Sequence, residues 1–152
     1  MTQEIKIGPI EHERGNYYIS NIPPEAVYDE AVEKFGIDFY GYPVSTIFTF
    51  GDTIHVASGV LENDILEHEL THVKQQTEYP GGALAWWKKY FIDQDFRFSQ
   101  ELEAYRIQYK VICEETTDRN RRFVRLHFLT KCLTKVDGEK RDLSELRKLI
   151  EG

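Results

Sequence analysis

Residues 45–76 read STIFTFGDTIHVASGVLENDILEHELTHVKQQ, and the apolar period changes partway along them. Before Gly59 the period is two. Residues 45–50 and 53–57 are rich in β-branched and aromatic types and flank Gly51 and Asp52, the pattern of a hairpin closed by a two-residue turn. After Gly59 the period becomes 3.6 and stays there, so residues 61–76 predict a helix, stopped by Pro80, Gly81 and Gly82. Working outward, further helices are predicted over 83–92, 97–113 and 119–135. Asp142 with Glu145 has the spacing of a capping box and opens a short last helix. Upstream, residues 4–7 alternate like a strand, Tyr17–Ser20 is β-rich, and Pro23 and Pro24 open a helix over 25–35 that Gly36 ends. The expected class is α+β: a small antiparallel sheet followed by a helical majority.

The bulk properties fit that class. The chain has 152 residues, of which 41% are hydrophobic and 30% charged, values that suit one folded domain over 1–152 and exclude disordered or low-complexity classes. A net charge of −7 argues against nucleic acid as the partner of the whole protein. No apolar run approaches the roughly 18 residues that span a bilayer, and the start, MTQEIKIGP, has no apolar signal segment. Cys113 and Cys132 are too few for a disulfide framework. Expected, therefore, is a cytoplasmic protein with no membrane or nucleic-acid partner. The charge is uneven: residues 118–135 hold six bases (Arg119, Arg121, Arg122, Arg125, Lys131, Lys135) against Asp118 alone. The segment reads as a solvated helix face docked on acidic surface elsewhere in the fold.

Within the helix at 61–76 lies His68-Glu69-Leu70-Thr71-His72, an HExxH motif. Residues four apart on a helix stand about 40° apart on one face and one turn along the axis, so both imidazoles can bind one tetrahedral Zn²⁺. Glu69 can then reach a water on that metal as general base. On a helical wheel Glu69 falls in the middle of the apolar face with Ile65, Leu66 and Val73, while Asp64, Glu67, Thr71, Lys74 and Gln75 take the solvent side. A buried carboxylate without a partner is costly, so Glu69 asks for a cation or a catalytic reason. Zinc needs a third protein ligand, and three glutamates compete. Glu78 stands where the pattern HExxHxxGxxH has its last histidine, but Gln75 replaces the glycine that pattern needs. In the helix at 97–113, Glu101 sits at the edge of the packing face with Tyr105 and Leu102, whereas Glu103 shares a polar face with Arg106 and Lys110. Glu101 is the expected third ligand.

HExxH followed by a glutamate on a later helix resembles the gluzincin metallopeptidases. The segment Glu101-Leu102-Glu103-Ala104-Tyr105 is similar to the ExxxD-type segment of thermolysin-like, Ste24/HtpX-like and minigluzincin proteins, and HELTHVKQQ to the zinc helix of short HExxH proteins of bacteria and phages. The resemblance covers about residues 44–110. It implies a zincin-like active-site helix, zinc on His68, His72 and Glu101, and hydrolysis of a peptide or protein substrate with Glu69 as base. Tyr105 departs from the pattern, since an aspartate supporting a zinc histidine usually stands there. The same residues admit a non-catalytic zinc-binding interaction module with a closed or vestigial site, or hydrolysis of a non-peptide amide. Tyr105 and His127 are candidate oxyanion donors. His55 reads as an exposed strand histidine, and Trp86, Trp87, Tyr90 and Phe91 as a core-facing stripe. The hairpin strands are expected to offer an edge to an extended peptide.

Overall fold

The computed structural model describes residues 3–42 and 45–152; Val44, the first residue of the stretch that carries the resemblance, lies outside them. The elements run β1 (Lys6–Ile10), β2 (Tyr17–Ser20), α1 (Tyr28–Phe35), β3 (Phe48–Phe50), β4 (Thr53–His55), α2 (Asn63–Glu78), α3 (Gly82–Ile92), α4 (Gln94–Glu115), α5 (Arg119–Asp137) and α6 (Leu143–Glu151). The architecture is α+β, with a small sheet and a helical majority. No described helix is long and apolar enough to cross a membrane. By its contacts the chain divides into two compact units, residues 1–61 with 72–91 and residues 62–71 with 92–152, so that α2 contributes its first half to one and its second half to the other.

In the unit of residues 1–61 and 72–91 the sheet has the order β1-β2-β4-β3. It is mixed, which corrects the antiparallel expectation: β1–β2 and β3–β4 are antiparallel, but β2 and β4 run parallel. A parallel pair needs a long crossover, and the stretch from Asn21 to Asp52, with α1 inside it, supplies one. Backbone hydrogen bonds from Tyr18 N to Asp52 O and from Val56 N to Ser20 O, both 2.9 Å, close the two ends of the pairing. The hairpin turns at Gly51 and Asp52 with Phe50 opposite Thr53, and its paired strands are shorter than the β-rich sequence around them. The core of this unit is aromatic. Trp86, Trp87, Tyr90 and Phe91 are buried, and Phe48 sits with its ring centroid 6.0 Å from Trp87 and 5.7 Å from Tyr28, separations at which aromatic pairs attract.

The unit of residues 62–71 and 92–152 packs α4, α5 and α6 around Ile112, Leu126, Leu129, Leu133, Leu146 and Ile150. Its helix ends are set by local chemistry. Asp118 accepts from the backbone of Asn120 and Arg121 at the start of α5, and Asp142 with Glu145 forms the full capping box at α6. Gly138 ends α5 at φ 66°, a left-handed position where glycine has no Cβ to strain.

Candidate metal centre

The buried side of α2 is mostly polar, with Leu70 its buried apolar residue. Asp64, His68, Glu69, Thr71, His72 and Gln76 are all buried, while Ile65, Leu66 and Val73 are only half-buried. The wheel had placed Asp64 and Thr71 toward solvent, and the structure corrects this for a simple reason. Thr71 Oγ1 donates to Glu67 O at 2.9 Å, and the Asp64 carboxylate accepts from Gln108 Nε2 at 2.8 Å and from Arg125 Nη2 at 3.0 Å. Burial costs a polar group little once its hydrogen bonds are replaced.

His68, Glu69 and His72 offer ligand atoms that all lie within 4.8 Å of one another. On α4, Glu101 Oε1 stands 3.2 Å from His68 Nε2. Two donor atoms on a tetrahedral zinc, with bonds of about 2.0–2.2 Å, sit roughly 3.4 Å apart, so this separation suits two ligands of one ion. The ring tautomers point the same way. His68 Nδ1 meets Gln108 Oε1 at 2.9 Å, and His72 Nδ1 meets Gln75 Oε1 at 2.8 Å. An amide oxygen only accepts, so each Nδ1 donates and each neutral ring carries its lone pair on Nε2. Histidines oriented in this way are what metal sites use. The His68, Glu69 and His72 group could hold a metal ion; Glu101 meets His68 but is not one of that compact group.

Tyr105 does not make the hydrogen bond to a motif histidine that its place in the segment suggested. Its ring packs edge-on against His68 with centroids 4.6 Å apart, and the orienting partner is Gln108 instead. Burial, with the Glu101 and Glu69 carboxylates nearby, holds the Tyr105 phenol well above its ordinary pKa, so it keeps its proton. Glu103 and Glu78 are exposed. His127 is also exposed, with its ring parallel to that of Phe123. His55 is half-buried and donates from Nδ1 to Ile22 O at 2.7 Å. Of the six bases of α5, Arg125 pairs with Asp64 and Arg122 donates to Thr116 O; Arg119, Arg121, Lys131 and Lys135 remain exposed.

Of the two hairpin strands only β3 stands at an edge of the sheet. The other, β4, lies between β2 and β3, and the Thr49 carbonyl of β3 accepts from Gln76 Nε2 at 2.8 Å and Trp87 Nε1 at 2.9 Å.

Three residues the sequence reading passed over, Gln75, Gln108 and Asp64, turn out to organise the histidines. A signal was present for two of them. Gln108 follows Glu101 by seven positions, which returns it to nearly the same face of α4, and Asp64 precedes His68 by one turn of α2. No protein-family model, curated protein or solved structure matches this chain, so the functional argument rests on the chemistry of these residues.

Proposed function

We propose that the chain is a zinc-dependent peptidase in which His68, His72 and Glu101 hold the metal and Glu69 is the general base. The observation that carries this reading is the pairing of both histidine Nδ1 atoms with glutamine oxygens, which turns Nε2 of each ring into the ligand atom. Bound Zn²⁺ would supply Lewis acidity, polarising the scissile carbonyl and lowering the pKa of water to about 7. Glu69, buried beside both rings, takes the proton of the attacking water and passes it to the leaving amine nitrogen, so the peptide C–N bond breaks with no net change in the carboxylate. The reading places the protein in the cytoplasm, where Cys113 and Cys132, both free thiols, stay reduced. Hydrolysis of a non-peptide amide would use the same groups.

One observation favours a second reading. The compact group on α2 includes Glu69 itself, and with Glu101 against His68 four protein donors would close the site and make it a non-catalytic zinc module. Glu69→Gln separates the two. The peptidase keeps about one zinc per chain, by elemental analysis, and loses about 10²–10⁴-fold in kcat on an unfolded protein substrate. The closed module loses zinc affinity instead. A wild-type chain that takes up no zinc after reconstitution removes both readings.

A further inference from the structure

We propose that Asp64, Gln108 and Arg125 form a positioning relay that decides which nitrogen of His68 carries the proton, and thereby presents Nε2 to the metal. The inference rests on the reading of His68 as a zinc ligand, but the relay's own hydrogen bonds involve protein groups alone.

A carboxylate has only acceptors to offer. Asp64 Oδ1 takes the Arg125 guanidinium at 3.0 Å, and Oδ2 takes Gln108 Nε2 at 2.8 Å. A primary amide has one donating end and one accepting end, so once Nε2 of Gln108 is committed to Asp64 its Oε1 faces the ring. Oε1 lies 2.9 Å from His68 Nδ1 and cannot donate; the proton must sit on Nδ1. In the neutral ring Nε2, 3.2 Å from Glu101 Oε1, is then the lone-pair atom, the one a cation shared with that carboxylate would use.

Asp64 gives the relay its direction. Gln108 alone could turn its amide over and donate to Nδ1, placing the proton on Nε2. His68 would then donate to Glu101, a satisfied pair with no use for a metal. The links are buried at Asp64, Gln108 and His68, and Arg125 forms the half-exposed outer end. Buried polar chains of this kind are worth more than their separate pairs because an unmade bond has no water to replace it.

The Asp64→Asn substitution tests the relay with little change of shape. Asparagine carries one acceptor and one donor. Arg125, which only donates, takes the oxygen, and the new NH₂ faces Gln108 and turns its amide over. The full chain is labelled with ¹⁵N-histidine, and the ring tautomer is read by long-range ¹H–¹⁵N NMR without metal, near pH 8.5 where imidazoles are neutral. Zinc affinity is read by competition with a chromophoric chelator. Expected is an Nδ1–H ring at His68 in the wild type, an Nε2–H ring in Asp64→Asn, and zinc binding about 10–100-fold weaker in the variant. The double substitution Asp64→Asn with Arg125→Met is expected to restore the wild-type tautomer, because the asparagine oxygen is then released to Gln108; a merely structural role for Asp64 would not be rescued by a second deletion. If Asp64→Asn does not fold, Gln108→Met, which removes the acceptor, is expected to lose the Nδ1–H signature. An Nε2–H ring in the wild type, or variants with the wild-type tautomer and zinc affinity, overturns the relay. A wild type with the Nδ1–H ring that binds no zinc upholds the relay and removes the metal reading alone.

Discussion

Glu69, Glu101 and Glu103 carry the same carboxylate, and their surroundings assign them different work. Glu69 is buried on α2 beside two histidines, Glu101 touches His68 from α4, and Glu103, two residues further along α4, is exposed. Glu101→Ala is therefore expected to weaken zinc binding by more than the about 10–100-fold that loss of an outer partner costs, while Glu103→Ala leaves both zinc affinity and stability within about 0.5 kcal/mol of wild type. Zinc titration and urea denaturation of the two variants check this, and full zinc affinity in Glu101→Ala would remove it from the ligand set. At this scale the sequence was informative where spacing on one helix decides which side chains share a face, putting His68 with His72 and turning Glu101, not Glu103, inward. It marked Gln108 only by its place on the Glu101 face of α4, and it was misleading on Asp64, because a wheel sorts residues by their own polarity. What buries Asp64 is a pair of partners 44 positions away at Gln108 and further still at Arg125, and no local pattern encodes them.

Elements were legible to the extent that their ends are built locally. Gly36 closes α1 at φ 62°, and Asp142 with Glu145 opens α6, both where turn and cap chemistry put them. Hairpin pairing across Gly51 and Asp52 is equally local. The parallel β2–β4 pair was not legible, since it depends on where a crossover returns the chain. A single side chain fixes that hairpin to the second half of α2. Gln76, fully buried, accepts from Gly51 N at 2.7 Å and donates to Thr49 O at 2.8 Å. Gln76→Leu fills similar space but makes neither bond. Thr49 O keeps Trp87 as a donor, so the orphaned group is the part-buried Gly51 N–H, and the expected loss is about 1–3 kcal/mol. Equilibrium urea denaturation measures it; a change under about 0.5 kcal/mol would mean that the hairpin is held by its aromatic packing alone.

Across the whole chain the net charge of −7 and the buried polar groups make stability depend on pH, and His55 gives that dependence a sign. Its ring is desolvated by burial, which lowers its pKa below 6.5 despite the bond to the Ile22 carbonyl; Lys6 pushes it the same way and Glu4 opposes. Well above pH 6.5 the ring is neutral in both folded and unfolded chains, and its folded-state bond is fully available. As pH falls below 6.5 the unfolded chain takes up the proton first, so the unfolded state gains and stability drops until the lowered folded pKa is passed. A difference measurement isolates the His55 contribution. His55→Gln, compared with wild type in urea at pH 8, 7, 6 and 5, is expected to show a constant stability difference well above about pH 6.5. Below that, wild type should fall toward the variant or beneath it. A difference that stays flat across the whole range would mean that burial does not shift the ring, and one that grows in favour of wild type as the pH falls would mean that the ring is stabilised in its charged form, with Glu4 outweighing burial.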